Sequence, residues 1–238
     1  MDIKVENTPF IFRDTRVSVR KAPLRPPLDL KKRYFMVKRS FDLIFSFLVI
    51  AGILSWLLPV IALLIRLDSR GPVFFLQKRM GKGGKPFTCY KLRTMLVNAQ
   101  ADEQPASEDD TRITRTGRLL RKTHLDELPQ FLNVLLGSMS LVGPRPYMLA
   151  DCYTFSGMIP GHTYRNFVKP GITGLAQVKG LHGPGPVTDF QTIFWRYQWD
   201  AFYVRNAGFI LDMRIIRQTA RQAVGQALHL FIKQRKPI

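Results

Sequence analysis

LIFSFLVIAGILSWLLPVIALLI, residues Leu43 to Ile65, is a run of 23 residues without one charged side chain. At a rise of about 1.5 Å per residue, a helix of this length crosses or deeply enters the ~30 Å apolar core of a bilayer. A core helix of a soluble protein normally keeps a polar stripe, and none interrupts this run. A cleaved signal peptide would sit at the extreme N-terminus, whereas 42 mostly polar and basic residues come first here.

The flanks bear on how the helix sits. Lys31, Lys32, Arg33, Lys38 and Arg39 precede it, and Arg66, Arg70, Lys78, Arg79, Lys82 and Lys85 follow it. Both ends therefore carry the mark of the cytoplasmic side, where a simple span would show asymmetry. Pro59 removes a backbone donor near the middle, and the Ser55 hydroxyl is placed to serve a freed carbonyl. A helix that dips into the membrane and returns on the same side satisfies both observations. A single-pass anchor in which Pro59 is only a kink accounts for the composition equally well.

Over the whole chain of 238 residues, 36 Lys and Arg face 17 Asp and Glu, for a formal net charge of +19. So basic a protein meets a polyanion: nucleic acid, nucleotide phosphates or an anionic membrane. The 46% hydrophobic content excludes extensive disorder. Cys89 and Cys152 form no CxxC and the four histidines have no ligand-like spacing, which argues against a disulfide framework or a zinc site.

Along the chain, residues 1 to about 30 read as an extended arm punctuated by Pro9, Pro23, Pro26 and Pro27. Val73 to Met80 and Pro86 to Met95 surround a Gly-rich turn and predict a β-hairpin. GxxxxGK[ST] is absent, and strand-turn-strand is the wrong setting for a phosphate loop. Gln100 to Asp110 reads as a solvated acidic loop. Leu125, Leu128, Phe131, Leu132 and Leu135 predict a helix over 125–136, stopped by Gly137, with Asp126 and Glu127 in its first turn. VGPRP (Val142 to Pro146) and KPGITG (Lys169 to Gly174) predict rigid turns. From Phe209 to Gln234, Arg214, Arg217 and Arg221 alternate with Ile215, Ile216, Val224, Leu228 and Phe231, a pattern that fits either an interfacial helix or a core helix with a solvated basic face.

Adjacent acids cannot share a helical face, so Asp126 and Glu127 must take different partners, one acting on substrate while the other binds metal. Arg79, Lys91, Arg93, Arg118, Arg121 and Arg145 supply cations suited to phosphate. Carboxylates, cations and Mg²⁺ together are the equipment of phosphoryl transfer. Two acids in a first turn also simply complement the helix dipole, which across proteins is the commoner case.

Read in order, KRSFDLIFSFLVI, LDSRGPVFFLQKRMG, YKLRTM, DDTRITRTGRLLRKTHLDELPQFLNVLLG, MSLVGPRP and VKPGITGLAQVKG closely resemble the bacterial sugar transferases called monotopic phosphoglycosyl transferases, from about Lys38 to Thr219. The resemblance implies transfer of a phosphosugar from a nucleotide sugar, a UDP-sugar, to undecaprenyl phosphate with release of UMP. That reaction primes exopolysaccharide, capsule, O-antigen or protein-glycan assembly. It implies Asp126 as the nucleophile that forms an aspartyl phosphosugar, Glu127 with Asp126 as the Mg²⁺ site, and Lys91, Arg93, Arg121 and Arg145 as phosphate-binding residues. It also implies a re-entrant helix at the inner membrane with the active site on the cytosolic face. Homodimerisation stays open, and no nucleic acid is implied.

The chain departs from the family's pattern in places. Ser55 is followed by Trp56, with proline only at 59; Gly137-Ser138-Met139-Ser140 lacks the usual carboxylate; and Lys179-Gly180 and His182 replace the usual residues after GITGLAQV. Larger relatives carry several transmembrane helices before this region, so the chain resembles their catalytic unit. The expected architecture is α+β: a basic arm over 1–37, a re-entrant membrane helix over 38–67, and over 68–238 a small mixed domain with a β-hairpin, a catalytic helix and interfacial amphipathic helices. Two other readings compete. A membrane-attached nucleic-acid-binding protein is favoured by the charge and by Trp195, Tyr197 and Trp199 around Arg196, but leaves the apolar run unexplained. A non-catalytic scaffold is favoured by Ser138 and opposed by retention of both acids and their cations.

Overall fold

The computed structural model describes residues 31–97, 110–181 and 189–234, with side chains described as far as residue 226. The arm up to residue 30, most of the acidic loop, His182 and the side chains of Leu228 and Phe231 lie outside the described residues.

The apolar run forms the middle of one 37-residue helix, α1, Lys32–Asp68. It starts inside the stretch assigned to the arm, because its first turns are tied to the body. Lys31 Nζ donates to the Arg205 and Ala207 carbonyls, and Tyr34 Oη and Lys38 Nζ each reach the Asp212 carboxylate at 2.8 Å. At Ile50–Leu54 the helix widens to a π turn, so that the Ser55 N–H bonds the carbonyl of Ile50. Two carbonyls within this turn gain side-chain donors: Ser55 Oγ bonds Ala51 O at 2.6 Å and Trp56 Nε1 bonds Gly52 O at 2.8 Å. An unmet carbonyl in hydrocarbon costs several kcal/mol, which gives Trp56 a role where the family has proline. The Ser55 hydroxyl thus serves the π turn.

Lys38, Asp42, Ser46, Leu54, Ile61 and Ile65 form the buried stripe of α1, while Ile44, Phe47, Leu48, Trp56, Val60 and Leu63 are exposed. The helix therefore rests one face on the body and leaves an apolar surface bare.

Strands β1 (Phe74–Met80) and β2 (Pro86–Leu92) make the expected antiparallel hairpin, Phe74 opposite Leu92 and Met80 opposite Pro86. Gly83 and Gly84 take its turn at φ 67° and 74°, backbone open to glycine at no steric cost. Helix α2 (Arg115–Lys122) follows, capped by Thr114, whose Oγ1 accepts the Gly117 N–H at 3.0 Å.

The predicted helix over 125–136 is two pieces: a 3₁₀ turn, Leu125–Glu127, and a short helix α3, Gln130–Leu135. Pro129 is the reason. It has no N–H to return to the Leu125 carbonyl, which instead accepts from Leu128 N at 3.2 Å. Asp126 and Glu127 thus sit on a tight turn rather than in the first turn of a helix.

Strand β3 (Ser140–Val142) runs parallel to β4 (Gly171–Thr173), a pairing with no sequence signal of its own. It presses the two Pro/Gly turns together. A Cβ on Gly171 would lie 2.1 Å from Gly143 N, and one on Gly143 would lie 2.4 Å from Lys169 O, so neither position admits a side chain. Between and after them come α4 (Leu149–Met158), α5 (Leu175–Val178), α6 (Phe190–Asn206) and α7 (Phe209–Gln234). The core gathers Val134, Met139, Val142, Val204 and Ile215. Ile215 is buried while Arg214 and Arg217 are exposed, so the first half of α7 is a core helix with a solvated basic face.

Candidate active site

The dyad turn is entered through His124, whose left-handed backbone (φ 55°) reverses the chain after α2. Non-glycine residues seldom take this conformation, which the surrounding hydrogen bonds must hold. His124 N bonds Arg121 O and Glu127 N bonds His124 O, both at 3.2 Å. The turn is fastened to the hairpin by buried Asn133 on α3. Its Oδ1 accepts the Tyr90 N–H at 2.9 Å, and its Nδ2 donates to Thr88 O at 2.7 Å. Lys91, on β2, is thereby brought to Glu127.

The two acids take different surroundings, as their adjacency requires. Glu127 Oε1 accepts from Lys91 Nζ and from Arg145 Nη2, each at 2.8 Å, and Oε2 lies 3.3 Å from Arg145 Nη1. Burial pushes the Glu127 carboxyl upward, but Arg145 and Lys91 outweigh it and hold the group well below its ordinary range. Asp126 is buried, and among the described residues no cation stands within ion-pair reach of it. Burial first, and the Glu127 charge second, push its carboxyl up to about 6, against the pull of Lys91, Arg121 and Arg145. One carboxylate is thus clamped and ionised, while its neighbour is desolvated and holds its proton more tightly.

The structure brings Lys91, Arg121 and Arg145 to the dyad. Arg121 acts on Asp126 by charge, its Nε anchored on Thr94 Oγ1 at 2.8 Å. Arg93 is directed elsewhere: its buried guanidinium donates to the Arg70 carbonyl, to Ser69 O at 2.7 Å and to Ile65 O at 3.5 Å. It caps the C-terminal end of α1, whose last carbonyls have no intrahelical partner. Sequence spacing could not separate Lys91 from Arg93, because alternation along a strand puts both on the same side.

Other residues emerge only from the fold. Arg165 and Asp200 form a fully buried pair at 2.7 Å, and Arg165 Nη2 also donates to the Arg145 carbonyl at 2.6 Å, with its guanidinium 3.8 Å from the Tyr147 ring centroid. This pair sets the backbone of the GPRP turn and so aims Arg145. A polar residue at a core position of a helix, as at Asn133 and Asp200, is the signal that could have found them.

Among the described residues no group of three or more His, Cys, Asp and Glu side chains gathers as a metal set. Mg²⁺ commonly takes only one or two carboxylates and completes its shell with substrate phosphates and water. Asp126, its proton affinity raised first by burial and then by Glu127, and Glu127 itself are the carboxylates that would hold such an ion.

The chain thus joins a long apolar helix with one exposed face to a buried acid pair on which Lys91 and Arg145 converge. The chain belongs to the bacterial sugar transferase family, whose model matches residues 33–226. It is 42% identical over 200 residues to the UDP-glucose:undecaprenyl-phosphate glucose-1-phosphate transferase of Xanthomonas campestris pv. campestris, covering 82% of this chain and 40% of that protein. It is 42% identical over 189 residues to a UDP-N-acetylgalactosamine-undecaprenyl-phosphate N-acetylgalactosaminephosphotransferase of Aeromonas hydrophila, covering 79% and 44%. The chain thus spans less than half the length of these two. Against an exopolysaccharide production protein of Rhizobium leguminosarum bv. phaseoli it is 45% identical over 188 residues, 76% of this chain and 92% of that one.

Proposed function

We propose that the protein transfers a phosphosugar from a UDP-sugar to undecaprenyl phosphate, releasing UMP, as the priming step of bacterial surface-glycan synthesis. The observation that carries this reading is the buried Asp126 carboxylate beside a Glu127 clamped by Lys91 and Arg145. The names of the relatives, two of them undecaprenyl-phosphate phosphosugar transferases, supply the substrates.

In the first half-reaction an Asp126 oxygen bonds to the sugar-bearing phosphorus, and the bond from that phosphorus to the bridging oxygen breaks, its electron pair leaving on UMP. In the second, an oxygen of the lipid phosphate attacks the same phosphorus and returns the Asp126 carboxylate. Arg121 and Lys91 offset the charge around Asp126, and Arg145 is aimed by the Arg165–Asp200 pair. Glu127 and Asp126 would hold Mg²⁺, which when bound neutralises the diphosphate and polarises the phosphorus centre.

The acceptor lies in the membrane, so the membrane geometry belongs to the same proposal: α1 is re-entrant, with the active site on the cytosolic face of the inner membrane. Both halves of α1 dock on one body, which supports this. In the first half, Asp42 accepts from Ser140 Oγ at 2.7 Å and from Leu141 N at 3.2 Å. In the second, Ile61 and Ile65 pack with Leu92 and Leu120, and Asp68 Oδ2 accepts the Thr116 N–H at 2.8 Å. A spanning helix of 37 residues, some 55 Å long, would carry its ends to opposite sides of a ~30 Å core.

The test is incubation of purified protein with Mg²⁺ and a UDP-sugar, without lipid. About one UMP per active site should be released, with a phosphosugar retained on the peptide that contains Asp126. Unmodified protein that still turns over once lipid is added would mean direct attack by the acceptor.

A further inference from the structure

Behind the Glu127 clamp lies a shallow cleft lined by Arg79, Cys89, Lys91, Gln130, Arg145 and Pro146. Glu127 pairs with two of its cations, Lys91 and Arg145, one negative charge against two positive. Arg79 is the third, and among the described residues it has no carboxylate within ion-pair reach. Its Nε (2.9 Å) and Nη2 both donate to Gln77 Oε1, and its Nη1 donates to Pro146 O at 3.1 Å. A guanidinium has five N–H groups, so two remain, one on each terminal nitrogen. Gln77, itself buried, holds the fork in one orientation.

A second, independent feature faces the same pocket. Gln130, the last residue of the LDELPQ motif, is only 3% exposed, and among the described residues its amide makes no hydrogen bond. An amide in such a place keeps its two donors for a ligand that enters the cleft.

We propose that Arg79 and Gln130 form the seat for the phosphate of the departing nucleotide, a phosphate monoester held in the cleft that the two partners of Glu127 also line. The assignment rests on the phosphoglycosyl transfer proposed above. Arg121 acts by charge on Asp126, whereas Arg79 lines the cleft beside Lys91 and Arg145, the two partners of Glu127, so the phosphorus under attack and the phosphate that leaves have separate cations. As the bond to the bridging oxygen breaks, the electron pair and a full negative charge pass to the leaving phosphate. That is where the uncompensated Arg79 cation and the Gln130 amide donors wait.

Wild type, Arg79→Met, Arg79→Lys and Gln130→Leu, each in nanodiscs, are titrated with UMP by calorimetry and assayed for the KM of UDP-sugar and of undecaprenyl phosphate. Arg79→Met should weaken UMP binding about 10- to 100-fold, the loss expected for a charge-assisted contact. Arg79→Lys should fall between, and Gln130→Leu should weaken it about 5- to 10-fold. The KM for undecaprenyl phosphate should stay within about twofold. Gln130→Leu keeps the volume and the hairpin, so it remains informative if Arg79→Met does not fold. UMP affinity unchanged in folded variants overturns the proposal, as does a rise confined to the KM for undecaprenyl phosphate, which would make the pocket the acceptor's. Wild type that binds UMP through these residues yet transfers no phosphosugar would overturn the transferase reading and leave the phosphate seat standing.

Discussion

Replacing Asp126 by Asn should make the protein inactive and more stable at once. In the fold the Asp126 carboxyl titrates at about 6, against 3.8 as its ordinary value, chiefly because burial disfavours the charge and Glu127 repels it. A folded pKa above the unfolded one means that the native state holds the proton longer, so stability is complete below about pH 4 and falls as pH rises through 6. Because one pKa unit is worth about 1.4 kcal/mol, this rise makes the ionised side chain a cost on the order of 3 kcal/mol at neutral pH. Asparagine has nearly the same shape and never ionises, so the variant recovers up to that amount, reduced by whatever its own amide loses on burial. For a chain of this size, 1 kcal/mol moves Tm by about 2–4 °C, which sets the ceiling at a rise of about 6–12 °C at pH 8. The assay is thermal and urea unfolding of both proteins in the same detergent at pH 4.5, 6 and 8. The gap should open as pH rises, and turnover should be absent at every pH. An Asn variant less stable than wild type at pH 8, or a gap independent of pH, would refute the view that Asp126 is strained by its setting.

Glu127→Gln leaves Lys91 and Arg145 without their anion; with the Arg145 side chain 34% exposed, the loss is about 2 kcal/mol rather than the 3–5 of a fully buried pair, read by urea unfolding, with Mg²⁺-dependent turnover lost and membrane association kept. Arg93→Met removes the cap on the end of α1 and should cost about 1–3 kcal/mol, seen as faster amide exchange around 65–71. The KM for UDP-sugar should stay within about twofold in that variant, because Arg93 faces carbonyls; a tenfold rise would return it to the phosphate site. Cysteines placed at Lys32 and Lys82, with Cys89 and Cys152 changed to Ser, should both resist an impermeant reagent in intact spheroplasts. Reaction of only one would make α1 a span.

What the sequence by itself determined is what depends on local pattern and on composition. The apolar run needs no partner to declare itself, since its length against a bilayer and its missing charges are one-dimensional facts. The hairpin is legible because Gly83 and Gly84 stand between two β-rich runs, and α7 because its apolar residues recur at helical spacing. The acid pair, Lys91, Arg121 and Arg145 are read in order from the motifs of the family. Tertiary structure decided the rest, where the deciding contact lies far along the chain. Pro129 turned a predicted helix into a 3₁₀ turn, a local effect that hydrophobic spacing overrode in the reading. Arg93 and Lys91 are indistinguishable as letters two apart in the run Pro86 to Met95, yet one meets the end of α1 and the other Glu127. Asp42 and Ser140 are 98 residues apart, and Arg165 and Asp200 are 35 apart. These buried polar pairs have no periodicity to betray them. They exist because folding removes water from each group and leaves only its partner to satisfy it.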